Sequence, residues 1–503
     1  MLLPFMPGTP ASPIPPSAAP GTLEALRARH GERLRWLLLM AVMVGTIASI
    51  MSSTVVNVAI PALAHQFHLP QSMAQWVSSG FMVASTVTML TTPWLLARFG
   101  YRATYVGCMW LLMGGGILGG VAQTFPLVLA ARVAEGLAAG VLQPIPAIII
   151  MRAFQPHEQG RAISLFTVGV ILAPAVGPSV GGLLVDWFGW RSIFFMVIPF
   201  CVASIWLARI YVPTSAPGGG AASSDERLDW GGLVLGTVGT LALLDGLVSL
   251  REGPPQRAWG LLALAVVCGI AFVGWERRRA RRGQAPLMDL RLFAWRPFAM
   301  GALVALSYGT ALFGSTYLLP VYMQMALGLS ASSVGAVMLP AGLVLAGAIA
   351  LVGRWADTTP ASWLVNMGLA LLALSFTLMV TIGLPSGLWL LIAFTIIGRI
   401  GLGFILPSLN LGAMRGLDRS LLTQGPSAIN FIRMLGGAAG VSLCGVALEW
   451  RLAAHGATLA DNAHPAARLA AFDDVFVMLA ALCALAMLAA RGLGSHSRLP
   501  PTR

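Results

Sequence analysis

The chain has 503 residues, of which 57% are hydrophobic and only 10% charged, and its mean hydropathy is +0.81. Soluble domains carry roughly 25% charged residues, so a water-soluble fold of this size is excluded and lipid is the natural solvent. The net charge of +13 comes from arginine without a single lysine. The arginines sit in short gaps between apolar runs, which excludes the one basic face of a nucleic-acid binder.

Residues 1–34 open with Pro4, Pro7, Pro10, Pro13, Pro15, Pro16 and Pro20 and contain no short apolar segment ending in a cleavage site. This reads as a disordered cytoplasmic tail, not a signal peptide.

Apolar runs long enough to cross a bilayer as helices then recur. They cover 36–60, 73–95, 103–122, 126–150, 162–185, 190–211, 231–250, 259–276, 297–322, 332–353, 363–383, 386–410, 428–448 and 473–492. The runs do not alternate as barrel strands would, so the expectation is an all-α polytopic membrane protein of about 14 transmembrane helices.

An even number of spans puts both ends on one side. That side collects 23 arginines, the other side 5, and 3 lie within spans. The imbalance predicts that both termini are cytoplasmic in a cell's inner membrane. The densest cluster, Arg277, Arg278, Arg279, Arg281 and Arg282, reads as a topology anchor against anionic lipid.

The five cysteines each fall inside an apolar run, and the seven histidines lie in loops or tails. Neither set has metal-ligand or disulfide spacing, and no metal or cofactor is expected. His65 and His68 stand three apart with no third ligand nearby.

An internal repeat is visible. Near the end of span 2 stands Arg98-Phe-Gly100-Tyr-Arg102, and near the end of span 10 stands Gly353-Arg-Trp-Ala-Asp357. Two spans after each comes an arginine followed by glycine four residues later, Arg132/Gly136 and Arg399/Gly403. Two six-helix halves, 35–211 and 297–492, separated by a linker region 212–296 with two extra spans and an Arg-rich loop, fit this spacing; residues 493–503 form a second tail. Repeated halves with a site between them are the usual build of secondary transporters.

Five pieces in order resemble the major facilitator superfamily, in particular its fourteen-spanner drug/proton antiporters. They are Thr54-Val-Val-Asn57-Val-Ala59-Ile-Pro61 in span 1, the loop after span 2, and Arg132-Val-Ala-Glu135-Gly136 in span 4. The others are Gly177-Pro178-Ser-Val-Gly181-Gly182 in span 5, and Tyr317-Leu-Leu-Pro320-Val-Tyr322-Met323-Gln324 in span 9. The resemblance implies a major-facilitator fold, gating by the loops that hold Arg98, Gly100, Arg102, Gly353 and Asp357, and an antiporter seal at Gly177, Pro178, Gly181 and Gly182. It also leaves room for a periplasmic adaptor and an outer-membrane channel as partners. Three positions depart from the family pattern. Ser52 stands where helix 1 usually carries an acid, Ala97 where the first loop carries Asp, and Glu135 where span 4 carries Gln.

Ionisable groups inside a membrane cost roughly 2.5–3.5 kcal/mol at a helix centre and are functional suspects by default. Arg132 and Glu135, three apart, share one helix face. They form either an ion pair that fixes packing or a proton site in which Glu135 replaces the lost helix-1 acid. Asp245 either reaches interfacial water or is a second proton carrier. Arg433 reads as snorkelling toward the inner interface. Arg399 either binds an anionic substrate or stabilises the second half. Asn57, Tyr308, Tyr317, Tyr322, Met323 and Gln324, with Arg399, are the candidates for lining a substrate cavity, with plain packing as the alternative for each.

Enzyme motifs of the metalloprotease, serine-hydrolase or P-loop type are absent from the sequence. The expected function is secondary transport, exporting drugs or small amphipathic compounds in exchange for protons. A facilitator or uptake carrier without proton coupling, and a receptor or scaffold on a transporter fold, are the alternatives.

Overall fold

The computed structural model describes residues 22–69, 73, 76–155, 157–214, 227–252, 254–329, 331–356, 358–383, 388–418, 420–456 and 465–494. All regular structure among these residues is helical. In chain order the helices are α1 (Leu23–His30), α2 (Leu34–Gln66), α3 (Trp76–Thr88), α4 (Thr92–Val121), α5 (Phe125–Leu142), α6 (Ile145–Ala153), α7 (Gln159–Phe188), α8 (Ser192–Phe195) and α9 (Val197–Tyr211). They continue with α10 (Trp230–Glu252), α11 (Pro255–Arg281), α12 (Arg291–Ala294), α13 (Arg296–Val321), α14 (Ala331–Ala356), α15 (Ala361–Met379), α16 (Leu388–Met414), α17 (Gln424–Ala454) and α18 (Pro465–Ala490).

Twelve stretches among the described residues are long and apolar enough to cross a membrane. One of them, Trp76–Val121, has 46 residues, about 69 Å of helix and over twice the apolar thickness of a bilayer. It breaks at Gly100, whose φ of 78° lies in the left-handed region, and so supplies spans 2 and 3. The 30-residue α7 supplies span 5. The expected fourteen crossings are therefore accounted for. Span 4 is built from α5 and α6, divided where Pro144 removes a backbone donor.

The ends of the elements differ from the sequence expectation in places. Residues 23–30, expected in a disordered tail, form a helix: Thr22 caps it by accepting from the Ala25 amide, and Ala25 and Leu26 are buried. Residues 1–21 and 495–503 lie outside the described residues. The last span starts eight residues early, at Pro465, so Asp473 and Asp474, expected at its very start, lie well inside the helix. In span 9, Pro320 ends regular α-helix and a π-turn follows at Tyr322–Ala326.

The two halves repeat in their packing. In the first half α2 packs on α7 and α9, α4 on α5 and α9, and α3 on α5. The equivalent pairs in the second half are α13 on α17 and α18, α15 on α16 and α18, and α14 on α16. Glycines allow the closest of these approaches. Gly136 sits against the Phe81 backbone of α3, and its counterpart Gly403 sits against Ala348 and Ile349 of α14.

The halves meet where α7 packs along α14, and where α17 packs on α3 and on the turn Met89–Thr91. The extra helices α10 and α11 form a hairpin on the periphery, docked through α10 on α17 and α3. Large apolar side chains such as Trp206, Ile270, Leu339 and Leu485 face outward, as a lipid-facing surface requires. Fourteen crossings bring both described ends to one face, called here the terminal face.

Candidate functional site

Arg132 and Glu135 lie on α5, about 15 Å from its first residue in the case of Glu135. Both side chains are 1% exposed. Arg132 Nη1 donates to Glu135 Oε2 at 2.5 Å. Ser52, near the middle of α2, joins the pair: its hydroxyl donates to the same Glu135 oxygen at 3.0 Å. Arg132 Nη1 also donates to Ser52 Oγ at 2.9 Å and to the Ser52 carbonyl at 3.2 Å.

Arg132 reaches a third helix. Its Nε donates to the Val77 carbonyl of α3 at 3.1 Å, and its guanidinium lies 4.4 Å from the centre of the Phe81 ring. Glu135 packs on a fourth. A methyl group on Gly115 of α4 would overlap the Glu135 side chain, so Gly115, with Gly116 beside it, makes room for the Glu135 side chain. One charged pair thus ties α2, α3, α4 and α5 together.

The pairing is incomplete. Glu135 Oε1 and Arg132 Nη2 are buried and have no hydrogen-bond partner. Beside them lies a cavity of about 10 Å³ lined by Ser52, Val55, Val56, Ile193 and Phe194 with the pair itself. That is roughly the space of one water molecule. Among the described residues of the first half, Glu135 is the only fully buried carboxylate. A buried carboxylate with one oxygen held and one free can take a proton without rebuilding its surroundings.

Asp245 is placed elsewhere. It is 36% exposed and pairs at 3.1 Å with Arg257, itself 60% exposed, across the α10–α11 hairpin. The structure does not bring it to the Arg132–Glu135 pair.

The second-half candidates divide. Tyr322 and Met323 are fully buried in the core of that half, where Tyr322 stacks edge-on to Phe472 and Phe476 and donates weakly to the Ile382 carbonyl. Both side chains are packed inside that core. Tyr317 is half-buried against the same core, and Gln324 is exposed. Tyr308 is buried on α13, and the adjacent Gly309 lies directly against the Arg433 carbonyl of α17. The side chain of Asn57 lies outside the described residues.

At the terminal face, Gly353 of α14 lies directly against Ser164 of α7, and a methyl group there would overlap the serine. This contact joins the two halves. Arg152, at the end of α6, donates to Thr423 Oγ1 across the same boundary at 2.5 Å. Arg102 donates to the Val212 carbonyl at 2.6 Å, and the Tyr101 amide donates to the Thr214 carbonyl. The loop after span 2 is thereby fixed to the end of α9. Arg98 is exposed, and Asp357 lies outside the described residues. In α7, Gly181 faces Val55 of α2; Gly177, Pro178 and Gly182 are helical, and their surroundings lie outside the described residues.

Sequence reasoning missed a polar network in the extra hairpin. Asp229 caps α10 through the Gly232 amide and accepts from Trp275 Nε1 at 2.8 Å, with Arg279 3.3 Å away. Glu276 accepts from the Leu287 amide at 3.0 Å. The Asp289 amide then donates to Gln424 Oε1 of α17 at 2.6 Å. Asp229, Leu287, Asp289 and Gln424, with Arg152 and Arg291, border a cavity of about 660 Å³ at the terminal face. The signal was an acid at each end of the extra hairpin: Asp229 two residues before the expected span 231–250, and Glu276 as the last residue of the expected span 259–276.

The chain is similar to known membrane transporters over most of its length. The chain is 26% identical to an uncharacterized MFS-type transporter, YcnB, of Bacillus subtilis, over 82% of this chain and 86% of that one. It is 28% identical to a multidrug resistance protein B homolog of Mycobacterium tuberculosis, over 87% and 81%. It is 26% identical to the multidrug export protein EmrB of Haemophilus influenzae, over 85% and 83%. Among solved structures, the human organic anion transporter MFSD10 superposes with a TM-score of 0.63 at 16% identity, covering 91% of this chain and 99% of that one. The proton:xylose symporter XylE does so with 0.63 at 13%, covering 90% and 94%. The family model of the Major Facilitator Superfamily matches residues 42–441, and the chain belongs to that superfamily of membrane transporters.

Proposed function

We propose that the protein is a secondary active exporter of drugs or small amphipathic compounds, driven by protons entering in exchange, with Glu135 as the proton carrier. It works in a cell's inner membrane with both termini cytoplasmic, on the arginine imbalance of 23 to 5. Relatives named for multidrug resistance and export support the substrate class.

The observation that carries the proton reading is the half-satisfied Glu135, held by Arg132 and Ser52 on one oxygen and free on the other. A proton on Glu135 removes its charge and weakens its tie to Arg132. Arg132 then holds α2 and α3 through Ser52 and the Val77 carbonyl. Loss of the proton to the cytoplasmic side restores the pair. Each state of Glu135 thus favours a different packing of α2 against α5, which is what alternating access needs from a coupling residue. Closure at the cytoplasmic end uses Gly353 against Ser164 and Arg152 on Thr423.

The test is substrate-driven proton movement in inverted vesicles, read with a pH-sensitive dye, for wild type and Glu135→Gln. Proton release on substrate addition in the wild type and its loss in the variant support the reading. Equal signals in both would remove Glu135 from the mechanism.

A further inference from the structure

The repeat that relates Arg132/Gly136 to Arg399/Gly403 breaks at one informative position. Three residues after Arg132 stands Glu135, but three residues after Arg399 stands the buried apolar Leu402. The glycines keep their equivalent packing on α3 and α14, so the helices correspond and only the counter-charge is gone.

Arg399 therefore has no acid of its own. Its Nη2 meets the Met338 thioether at 3.8 Å, and it makes no ion pair among the described residues. Arg433 of α17 is in a similar position. Its Nη2 donates to Asn430 Oδ1 at 2.9 Å, while its buried Nε has no acceptor. It too has no carboxylate partner among the described residues. Asn430 is committed, because its own amide nitrogen donates to the Pro426 carbonyl. Tyr308 is buried on α13, whose Gly309 lies directly against the Arg433 carbonyl and which also packs on α16, the helix of Arg399, so three packed helices carry two unmatched cations and a phenol.

Unmatched cations inside a membrane protein are expensive, and a guanidinium is shaped to hold a carboxylate or a similar oxyanion through paired hydrogen bonds. We propose that Arg399, Arg433 and Tyr308 form the recognition site for an acidic group, such as a carboxylate or sulfonate, on an amphipathic substrate. This rests on the transporter reading above and narrows its substrate class from amphipathic compounds in general to amphipathic anions. The first half then handles the proton and the second half the substrate charge, a division created by the Glu135/Leu402 difference between the repeats.

The test is binding to the purified full-length protein, independent of transport. The probes are radiolabelled 1-naphthaleneacetate and its neutral match 1-naphthaleneacetamide, followed by other aromatic acid and amide pairs. The wild type binds acids at least tenfold more tightly than their amides. Arg399→Gln and Arg433→Gln each lower acid affinity about tenfold or more and leave amide affinity within about twofold. Leu402→Glu, which installs the internal acid of the first half, has the same effect with both arginines present. Asp245→Asn, at an exposed ion pair on the peripheral hairpin, leaves acid and amide binding unchanged. Acids bound no better than amides, or arginine variants that lose acid and amide equally, would overturn the proposal even if proton-coupled transport were established.

Discussion

The Ser52 hydroxyl lies 3.0 Å from Oε2 of Glu135, so the helix-1 position where an acid was missed touches the acid that span 4 supplies. Ser52 and Glu135, the departures from the family pattern in helix 1 and span 4, therefore meet at one place in the bundle.

Removing Arg132 leaves Glu135 buried without its partner. Breaking a buried pair from one side costs about 3–5 kcal/mol, whereas replacing both members by apolar groups costs far less. Arg132→Leu should lower thermal stability in detergent sharply. Arg132→Leu with Glu135→Leu should recover most of the loss, as measured by temperature-dependent size-exclusion chromatography.

Asp245 makes the opposite prediction. Its partner Arg257 is 60% exposed, and an exposed pair is worth at most about 1 kcal/mol. Asp245→Asn should leave both stability and proton-coupled transport close to wild type. A large loss of dye response in that variant would return Asp245 to the list of proton carriers.

Gly353 tests the contact between halves. Its approach to Ser164 leaves no room for a side chain. Gly353→Val should hold the terminal face apart, slowing transport at least tenfold while substrate still binds. The five native cysteines are buried, so a cysteine placed at Ser164 reports the opening by faster maleimide labelling. Unchanged labelling would show that the face closes elsewhere.

The order and number of spans were legible because each is an apolar run of fixed length, and arginine spacing checks the count. The repeat was legible too, since Gly136 and Gly403 recur at the same distance from an arginine. The loss of apolar pattern at span ends hid the rest. Asp229 and Glu276 sit just where hydropathy falls away, so their network with Trp275 was invisible to a reading based on apolar length. Tyr322 and Met323 looked like cavity residues by type, but facing direction decides that, and Phe472 and Phe476 from the last helix cover Tyr322. The contact of Ser52 with Glu135 spans 83 residues and has no local signature.

The central claim is that the coupling acid has moved from helix 1 to Glu135, and moving it back tests this most directly. The measurement is substrate-driven proton release in inverted vesicles for wild type, Glu135→Gln, and Glu135→Gln with Ser52→Asp. The account predicts a full response, then a loss of at least tenfold, then recovery of a substantial part when the acid returns to position 52. A Glu135→Gln variant that still couples like the wild type would contradict it.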